Sequence, residues 1–149
     1  MDARDDKSEQ WSQLLEKIQD IKFTMLTTEN EEGVLHSRPM ATLNTLEEGS
    51  LWFFTGKSTH KCREIGRHPR VNLAFVAGGK DTFVSIAGEA QLVEDASKAE
   101  ELWNPMMQAW FPEGLDDPEL ILLRVDVEEA EYWDVASRKM TRFTQFAKS

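Results

Sequence analysis

Residues 56–61 are the part of the sequence best suited to bind a small molecule. They follow the apolar β-type run 51–55 and begin a predicted helix in which basic residues occupy the first turn. A helix N-terminus has unpaired N–H groups and a partial positive charge, so lysines there are unfavourable unless an anion offsets them. Backbone N–H groups, the hydroxyls of Thr55, Ser58 and Thr59, and the ammonium of Lys61 are suited to hold a phosphate. The alternative is a solvated basic turn that contains an ordinary N-cap hydroxyl.

A second candidate lies in residues 34–42. The alternation of a strand would place His36, Arg38 and Met40 on one face. Pro39 cannot donate a ladder hydrogen bond, so we expect a sheet edge or a bulge with backbone groups free for a ligand. Arg38 suits a two-point contact to a phosphate or to a carbonyl-rich ring. Its alternative role is a salt bridge to a nearby acid.

Other common chemistries have little support. The three histidines have no HxH or HxxxH spacing and there is one cysteine, so no zinc site is predicted. The chain also lacks the GxSxG, GxGxxG and GxxxxGK[ST] motifs. Cys62, near the start of the helix, is either a reactive thiol or a small packing residue, and packing is the commoner role.

The charge distribution favours a small anionic ligand. The net charge of −10 argues against nucleic-acid binding, which needs a basic face. Residues 49–80 nevertheless contain six basic residues and one acid, whereas residues 81–134 contain fifteen acids and two basic residues. Positive charge in this acidic chain is thus concentrated around one predicted strand-helix junction.

Length and composition predict one domain over residues 1–149, with residues 1–7 as a disordered acidic N-terminus. No apolar run is long enough to cross a bilayer, and the N-terminus does not resemble a signal peptide. A single cysteine excludes an internal disulfide. Together these features predict a cytoplasmic protein.

The hydrophobic pattern predicts a mainly β protein with flanking helices. One helix is expected at 8–20, a second from Ser58 to Gly66, and a third from Ser97, as its cap, to Asn104. Most connections between the strands are too short for parallel crossovers, so a six-stranded antiparallel barrel is predicted. The predicted strands are 22–28, 34–43, 51–55, 70–76, 82–93 and 120–135.

The chain contains five tryptophans, which are many for 149 residues. Trp133, at a strand end, is suited to stack on a planar ring. Because a monomer rarely exposes a large contiguous apolar patch, we expect several bulky side chains to help form a symmetric dimer interface. These are Trp52, Trp103, Met106, Met107, Trp110, Phe111 and Trp133.

Three segments together resemble a known family. They are SRPM at 37–40, LWFFT at 51–55 followed by SxxKxxEI at 58–65, and AEYWD at 130–134. In order and spacing they resemble the pyridoxamine 5'-phosphate oxidase-like flavoproteins, and within these the bacterial general stress protein group. The resemblance covers roughly residues 8–147.

The resemblance implies a six-stranded antiparallel split β-barrel of Greek-key topology, with FMN as cofactor. It also implies a homodimer whose two flavin sites are shared across the interface. Carried over by position, residues along the flavin and its ribityl chain would be Arg38, Pro39 and Met40. Phe54 and Thr55 would lie near the chain and phosphate. Residues at the phosphate would be Ser58, His60 and Lys61, and Trp133 of the partner subunit would close the site.

Two departures from the family pattern limit the function. The vitamin-forming oxidases carry a C-terminal Arg-Leu-His-x-Arg signature, whereas residues 135–142 read VASRKMTR. They also place a lysine where this chain has Leu43 or Asn44. Pyridoxine-phosphate oxidation is therefore not expected. The resemblance instead implies a stress-related FMN-dependent oxidoreductase of unknown substrate, with a nicotinamide as candidate electron donor, or a flavin-binding or flavin-sequestering protein without catalysis.

Overall fold

The computed structural model describes residues 3–43, 49–77, 79, 81–135 and 137–144. Within them, three α-helices and two short 3-10 helices accompany seven strands. The helices are α1 (Ala3–Ile18), α2 (His60–Arg67) and α3 (Ala96–Leu102), with 3-10 turns at Pro105–Ala109 and Gly114–Asp116. The strands are β1 (Phe23–Glu29), β2 (Leu35–Ala41), β3 (Ser50–Gly56), β4 (Arg70–Ala77), β5 (Thr82–Val93), β6 (Leu120–Asp134) and β7 (Lys139–Thr144).

The structure confirms the mainly β class and corrects several predicted elements. The helix α1 begins at Ala3 and ends at Ile18, whereas the predicted helix ran from residue 8 to residue 20. The N-cap of α3 is Asp95, whose side chain accepts a bond from the Lys98 N–H at 3.0 Å, rather than Ser97. The largest correction is the strand β7, which raises the number of described strands from the predicted six to seven. No helix in the described ranges has the length and apolar character needed to cross a membrane.

All strand neighbours are antiparallel, in the order β2-β1-β4-β5-β6-β3. The long strand β6 pairs with β3 through residues 120–126 and with β7 through residues 129–134. Among the described residues the end strands β2 and β3 are not paired, so the predicted closure is absent and the sheet is open between them. The edge position predicted from Pro39 is therefore confirmed for β2.

A β-bulge between Ala87 and Gly88 adjusts the pairing of β5 with β6. A Cβ atom at Gly88 would lie 2.3 Å from the backbone oxygen of Asp126, so only glycine permits this close approach. The bulge bends the longest strand pair, which must curve for the end strands to approach each other.

The strand β3 is buried on both faces, which explains its continuous apolar sequence. Leu51 and Phe53 belong to the main core, which α1 covers through Leu14 and Ile18. On the opposite face, Phe54 belongs to a second apolar cluster. The buried members of that cluster are Trp52, Phe54, Met107, Phe111 and Leu122.

The second cluster corrects the list of predicted interface residues. Trp52, Met107 and Phe111 are buried within this chain and cannot supply an exposed patch. Trp103 is partly buried against the same cluster. The remaining three residues are exposed: Met106, Trp110 and Trp133.

Candidate functional site

A cavity of about 670 Å³ lies where the sheet is open, between β2 and β3. Its walls combine the end of β2, the end of β3, the beginning of α2 and the segment after α3. The size falls within the range of small-molecule sites. Six of the nine residues predicted from the sequence line it, namely Arg38, Pro39, Met40, Phe54, Thr55 and Lys61.

Arg38 lies at the β2 end of the cavity and is held from behind. Its Nη1 donates to the Thr28 hydroxyl at 2.6 Å and to the Leu26 carbonyl at 3.3 Å. Its Nη2 lies 3.5 Å from Oε1 of Glu64, on α2. The salt bridge considered as the alternative role of Arg38 therefore exists, and it orients the guanidinium at the cavity wall.

Thr28 and Glu64 complete this network. The buried Thr28 hydroxyl donates to Glu64 Oε1 at 2.5 Å while it accepts the bond from Arg38. The Thr28 hydrogen bond is the main cause that lowers the pKa of Glu64, and the charge of Arg38 adds to it against the opposing effect of burial. Glu64 is therefore an ionised anchor for Arg38.

Lys61 lies at the other end of the cavity, where β3 gives way to α2. Its ammonium donates to the hydroxyl of Thr55 and, at 3.3 Å, to that of Thr59. The side chain is half-buried, and burial is the main cause that lowers its pKa, followed among the lowering causes by the charge of Arg38. Within the described residues, no carboxylate lies within ion-pair distance of Lys61. Its hydrogen-bond partners in the part of the chain that the structure describes are these two neutral hydroxyls.

Ser58 does not line the cavity but binds a residue that does. Its N–H and its hydroxyl donate to Oε2 of Glu119, at 3.1 and 2.6 Å. These two bonds, the hydroxyl first, are the main causes that lower the pKa of Glu119. Of the donors predicted for a phosphate, those of Ser58 are therefore bound to a carboxylate of the same protein.

The apolar wall of the cavity was not predicted as part of a site. It contains Phe23, Met107, Trp110 and Phe111. The Phe23 and Trp110 rings meet edge to face, with centroids 6.4 Å apart. Sequence reasoning assigned Met107, Trp110 and Phe111 to a dimer interface, because their apolar character gave no sign that they border a cavity.

His60 and Trp133 lie outside this cavity. His60 is exposed and contacts Arg63 at 2.9 Å. It lines a separate cavity of about 540 Å³ between α2 and residues 30–32, which connect β1 to β2. Trp133 lies on β6, opposite Phe83 of β5 and Met140 of β7. Within one chain, neither residue lines the cavity that six of the predicted residues share.

Cys62 does not line the cavity between β2 and β3, but it contributes to the wall of the separate cavity beside His60. It is buried, and its thiol donates to the Gly56 carbonyl at 3.2 Å. Of the two roles considered for this cysteine, the structure matches packing at the strand-helix junction.

Comparison with known proteins identifies the family. Residues 9–149 match the family model described as pyridoxamine 5'-phosphate oxidase like, and the chain belongs to this family. It is 30% identical over 102 residues to General stress protein 26 of Bacillus subtilis, a match covering 66% of this chain and 71% of that protein.

Solved structures agree with this membership. The general stress FMN/FAD binding protein of Xanthomonas citri is 31% identical, with a TM-score of 0.68 and 96% of this chain and 95% of that chain covered. A protein from Clostridium acetobutylicum related to general stress protein 26 has a TM-score of 0.79 at 23% identity, covering 92% and 95% of the two chains. The second likeness concerns the fold alone. The split-barrel fold class predicted from the sequence is confirmed.

Proposed function

We propose that this protein binds FMN non-covalently in the cavity between β2 and β3 and acts as a flavin-dependent oxidoreductase. The observation that carries the proposal is the half-buried Lys61, whose charge has hydroxyl partners but no carboxylate partner in the part of the chain that the structure describes. Burying a cation without a counter-ion is unfavourable, and a phosphate at this position would supply the missing charge.

The chemistry of the cavity fits a molecule with one anionic end and one planar apolar end. The hydroxyls of Thr55 and Thr59 converge on Lys61 at one end. Phe54, Met107 and Phe111 provide an apolar wall against which a ring system can pack. FMN has both parts, and the related Xanthomonas citri protein is an FMN/FAD binding protein.

In this proposal, Lys61, Thr55 and Ser58 hold the phosphate, and Arg38, Pro39 and Met40 lie along the ring and its ribityl chain. The bound flavin would supply two-electron oxidation and reduction. The chain itself contributes orientation, because Arg38 is held by Thr28 and Glu64, and Pro39 donates no N–H along an unpaired strand edge.

Flavin titration tests the binding. The purified protein, freed of flavin, should change the fluorescence of added FMN with saturation at one flavin per chain. Riboflavin should bind more weakly because it lacks the phosphate, and FAD in the same assay reports the preference between the two nucleotides. A protein that leaves the fluorescence of all three flavins unchanged would contradict the proposal.

Anaerobic mixing with NADH or NADPH tests the oxidoreductase activity. Rapid bleaching of the oxidised flavin absorbance is expected if a nicotinamide is the electron donor.

A second candidate function is flavin binding or sequestration without a dedicated substrate. It is favoured by the cavity carboxylates, since Glu119 is bound to Ser58 and Asp117 accepts the Glu119 N–H at 3.0 Å, which leaves neither positioned as an acid or base. Absence of bleaching with all plausible donors would favour this second function.

We also infer that the protein is cytoplasmic. A separate inference is that two subunits of a homodimer together complete each flavin site. The outer face of β1 and β2 exposes Phe23, Met25 and Leu35, and Trp110 beside them is 54% exposed. This apolar surface borders the cavity and suits a symmetric interface. Trp133, which lies outside the cavity of its own chain, is then the residue offered to the partner.

Sedimentation at falling protein concentration, with and without FMN, tests the shared site. If the partner contributes to flavin binding, FMN should shift the equilibrium toward the dimer. A monomer with undiminished affinity for FMN would contradict the shared site but not the binding proposal.

A further inference from the structure

Glu119 occupies two of the donors that the proposed phosphate site would use, the N–H and the hydroxyl of Ser58. Its Oε2 accepts both the N–H and the hydroxyl of Ser58, and Glu119 also lines the cavity. The two residues are 61 positions apart in the chain, so local sequence does not enforce this contact. The antiparallel pairing of β3 with β6 brings Gly56 opposite Leu120 and so brings the carboxylate to the strand-helix junction.

The hydrogen bonds that hold the backbone of Glu119 do not depend on its side chain. The Lys57 N–H donates to the Glu119 carbonyl at 2.8 Å, and the Glu119 N–H donates to Asp117 Oδ1 at 3.0 Å. The Glu119 side chain is exposed, and within the described residues its hydrogen bonds are those from Ser58. The neighbouring ammonium of Lys57 lies 2.9 Å from Glu94 instead. Rotation of the carboxylate into water therefore leaves the backbone contacts intact.

We propose that Glu119 is a displaceable internal anion that competes with the phosphate of FMN for Ser58, and so determines how strongly the site prefers FMN over riboflavin. This inference rests on the proposed function. Two negative groups cannot share the same donors without repulsion, so the phosphate must move the carboxylate aside. Riboflavin has no phosphate and leaves the contact between Ser58 and Glu119 in place.

The proposed competition predicts the direction in which FMN affinity changes when Glu119 is replaced. Replacing Glu119 removes the repulsion and frees the Ser58 donors, so FMN should bind more tightly while riboflavin is unaffected. The expected gain for Glu119→Ala is about tenfold, comparable to that of a hydrogen bond to a charged group. Glu119→Gln keeps an oxygen that accepts from Ser58 but loses the charge, so its gain should be smaller.

The experiment measures dissociation constants for FMN and riboflavin by fluorescence titration of the full chain. The variants are wild type, Glu119→Ala, Glu119→Gln and the control Glu113→Gln. Glu113 is exposed, makes no capping bond to the adjacent 3-10 turn, and is absent from the cavity lining. Its substitution changes the net charge by the same amount as Glu119→Gln. It should leave both affinities within about twofold, since an exposed charge has a small effect.

An increase in the ratio of FMN to riboflavin affinity for both Glu119 variants, absent in the control, supports the inference. If Glu119→Ala fails to fold, Glu119→Gln decides alone, because it retains the acceptor. An unchanged ratio, or weaker FMN binding in the variants, would overturn the inference and identify Glu119 as a positioning residue for Ser58. That outcome leaves FMN binding by the wild type intact. Wild-type protein that binds neither flavin overturns the proposed function itself.

Discussion

Each end of the cavity contains one basic side chain, and the two side chains have different kinds of interaction partner. At the β2 end, Arg38 faces the ionised carboxylate of Glu64 and the hydroxyl of Thr28. At the α2 end, the described partners of Lys61 are the hydroxyls of Thr55 and Thr59. The charge of Arg38 is balanced by a carboxylate, whereas Lys61 has no carboxylate partner among the described residues.

This difference separates a structural role from a binding role. A guanidinium with a fixed carboxylate partner stays in one orientation whether or not a ligand is present, which suits the shaping of a cavity wall. A half-buried ammonium with neutral partners gains most when an anion arrives. We therefore expect substitutions of Arg38 to act mainly on stability and substitutions of Lys61 mainly on the binding of phosphate-bearing ligands.

Substitution of Lys61 should have the largest effect on binding. Lys61→Ala should weaken FMN binding by about 1–3 kcal/mol, since it removes a charge-assisted contact to the phosphate. Riboflavin binding should change little. The control is Lys57→Ala, which removes the same charge from a residue that pairs with Glu94 and does not line the cavity. Equal losses in the two variants, measured by fluorescence titration, would show that the effect is only a change of overall charge.

Substitution of Arg38 should have the largest effect on the stability of the flavin-free protein. Arg38→Met leaves the mostly buried Glu64 without its cationic partner and should lower the free energy of unfolding by about 1–2 kcal/mol. Lys61→Met should cost less, because it removes a cation that has no carboxylate partner among the described residues. Urea denaturation of both variants measures the difference.

A double variant sharpens the assignment of Arg38. If the loss comes from the unpaired carboxylate, adding Glu64→Gln to Arg38→Met should recover part of the stability. A double variant whose losses simply add would show that Arg38 and Glu64 are energetically independent. The comparison of the two cavity ends would then lose its physical basis.

The sequence was sufficient for the parts of this fold that depend on local pattern. The apolar run of β3, the break at the strand-helix junction and the proline of β2 each carry a local signal, and the structure brings these segments together around one cavity. The strand β7 carries no such signal. In the turn before β7, Arg138 adopts a positive φ of 58° without the glycine or asparagine that usually marks a hairpin. Phe143 is the one buried residue of the strand β7.

The missed part of the candidate site depends on pairing between distant segments. Glu119 reaches Ser58 because β3 and β6 pair in one particular register. Thr28 reaches Glu64 because β1 lies beside α2. Neither contact follows from residue type or spacing within one segment.

The pH dependence of FMN binding should distinguish Lys61 from an ordinary surface lysine. Burial, aided by the charge of Arg38, holds the pKa of Lys61 below its usual 10.5 in the flavin-free protein. As pH rises through this lowered pKa, the ammonium is lost and FMN affinity should fall, approaching a limit of about tenfold per pH unit for one proton. Fluorescence titration from neutral to alkaline pH measures the decline.

Riboflavin and Lys61→Arg are the controls for this titration. Riboflavin carries the same ring, so it reports any effect of ring ionisation, while its missing phosphate removes the effect of Lys61. Arginine stays charged throughout the range, so a variant that binds FMN should lose the alkaline decline. A decline of the same size for riboflavin, or in the arginine variant, would exclude Lys61 as its cause.

The smallest expected effect concerns Glu64 at acid pH. The pKa of Glu64 is held below the usual 4.5, chiefly by the Thr28 hydrogen bond. The contribution of Glu64 to stability is therefore complete above about pH 4.5, and it is lost as the pH falls through the lowered pKa. The difference in unfolding free energy between wild type and Glu64→Gln should therefore be constant at neutral pH and shrink in acid. The control Glu128→Gln removes an exposed ion pair with Arg70 and should change stability by less than about 1 kcal/mol. If the difference in unfolding free energy between wild type and Glu64→Gln stays constant into strong acid, the ionised carboxylate does not stabilise the network. Packing would then hold Arg38 in place, and its contrast with Lys61 would not depend on charge.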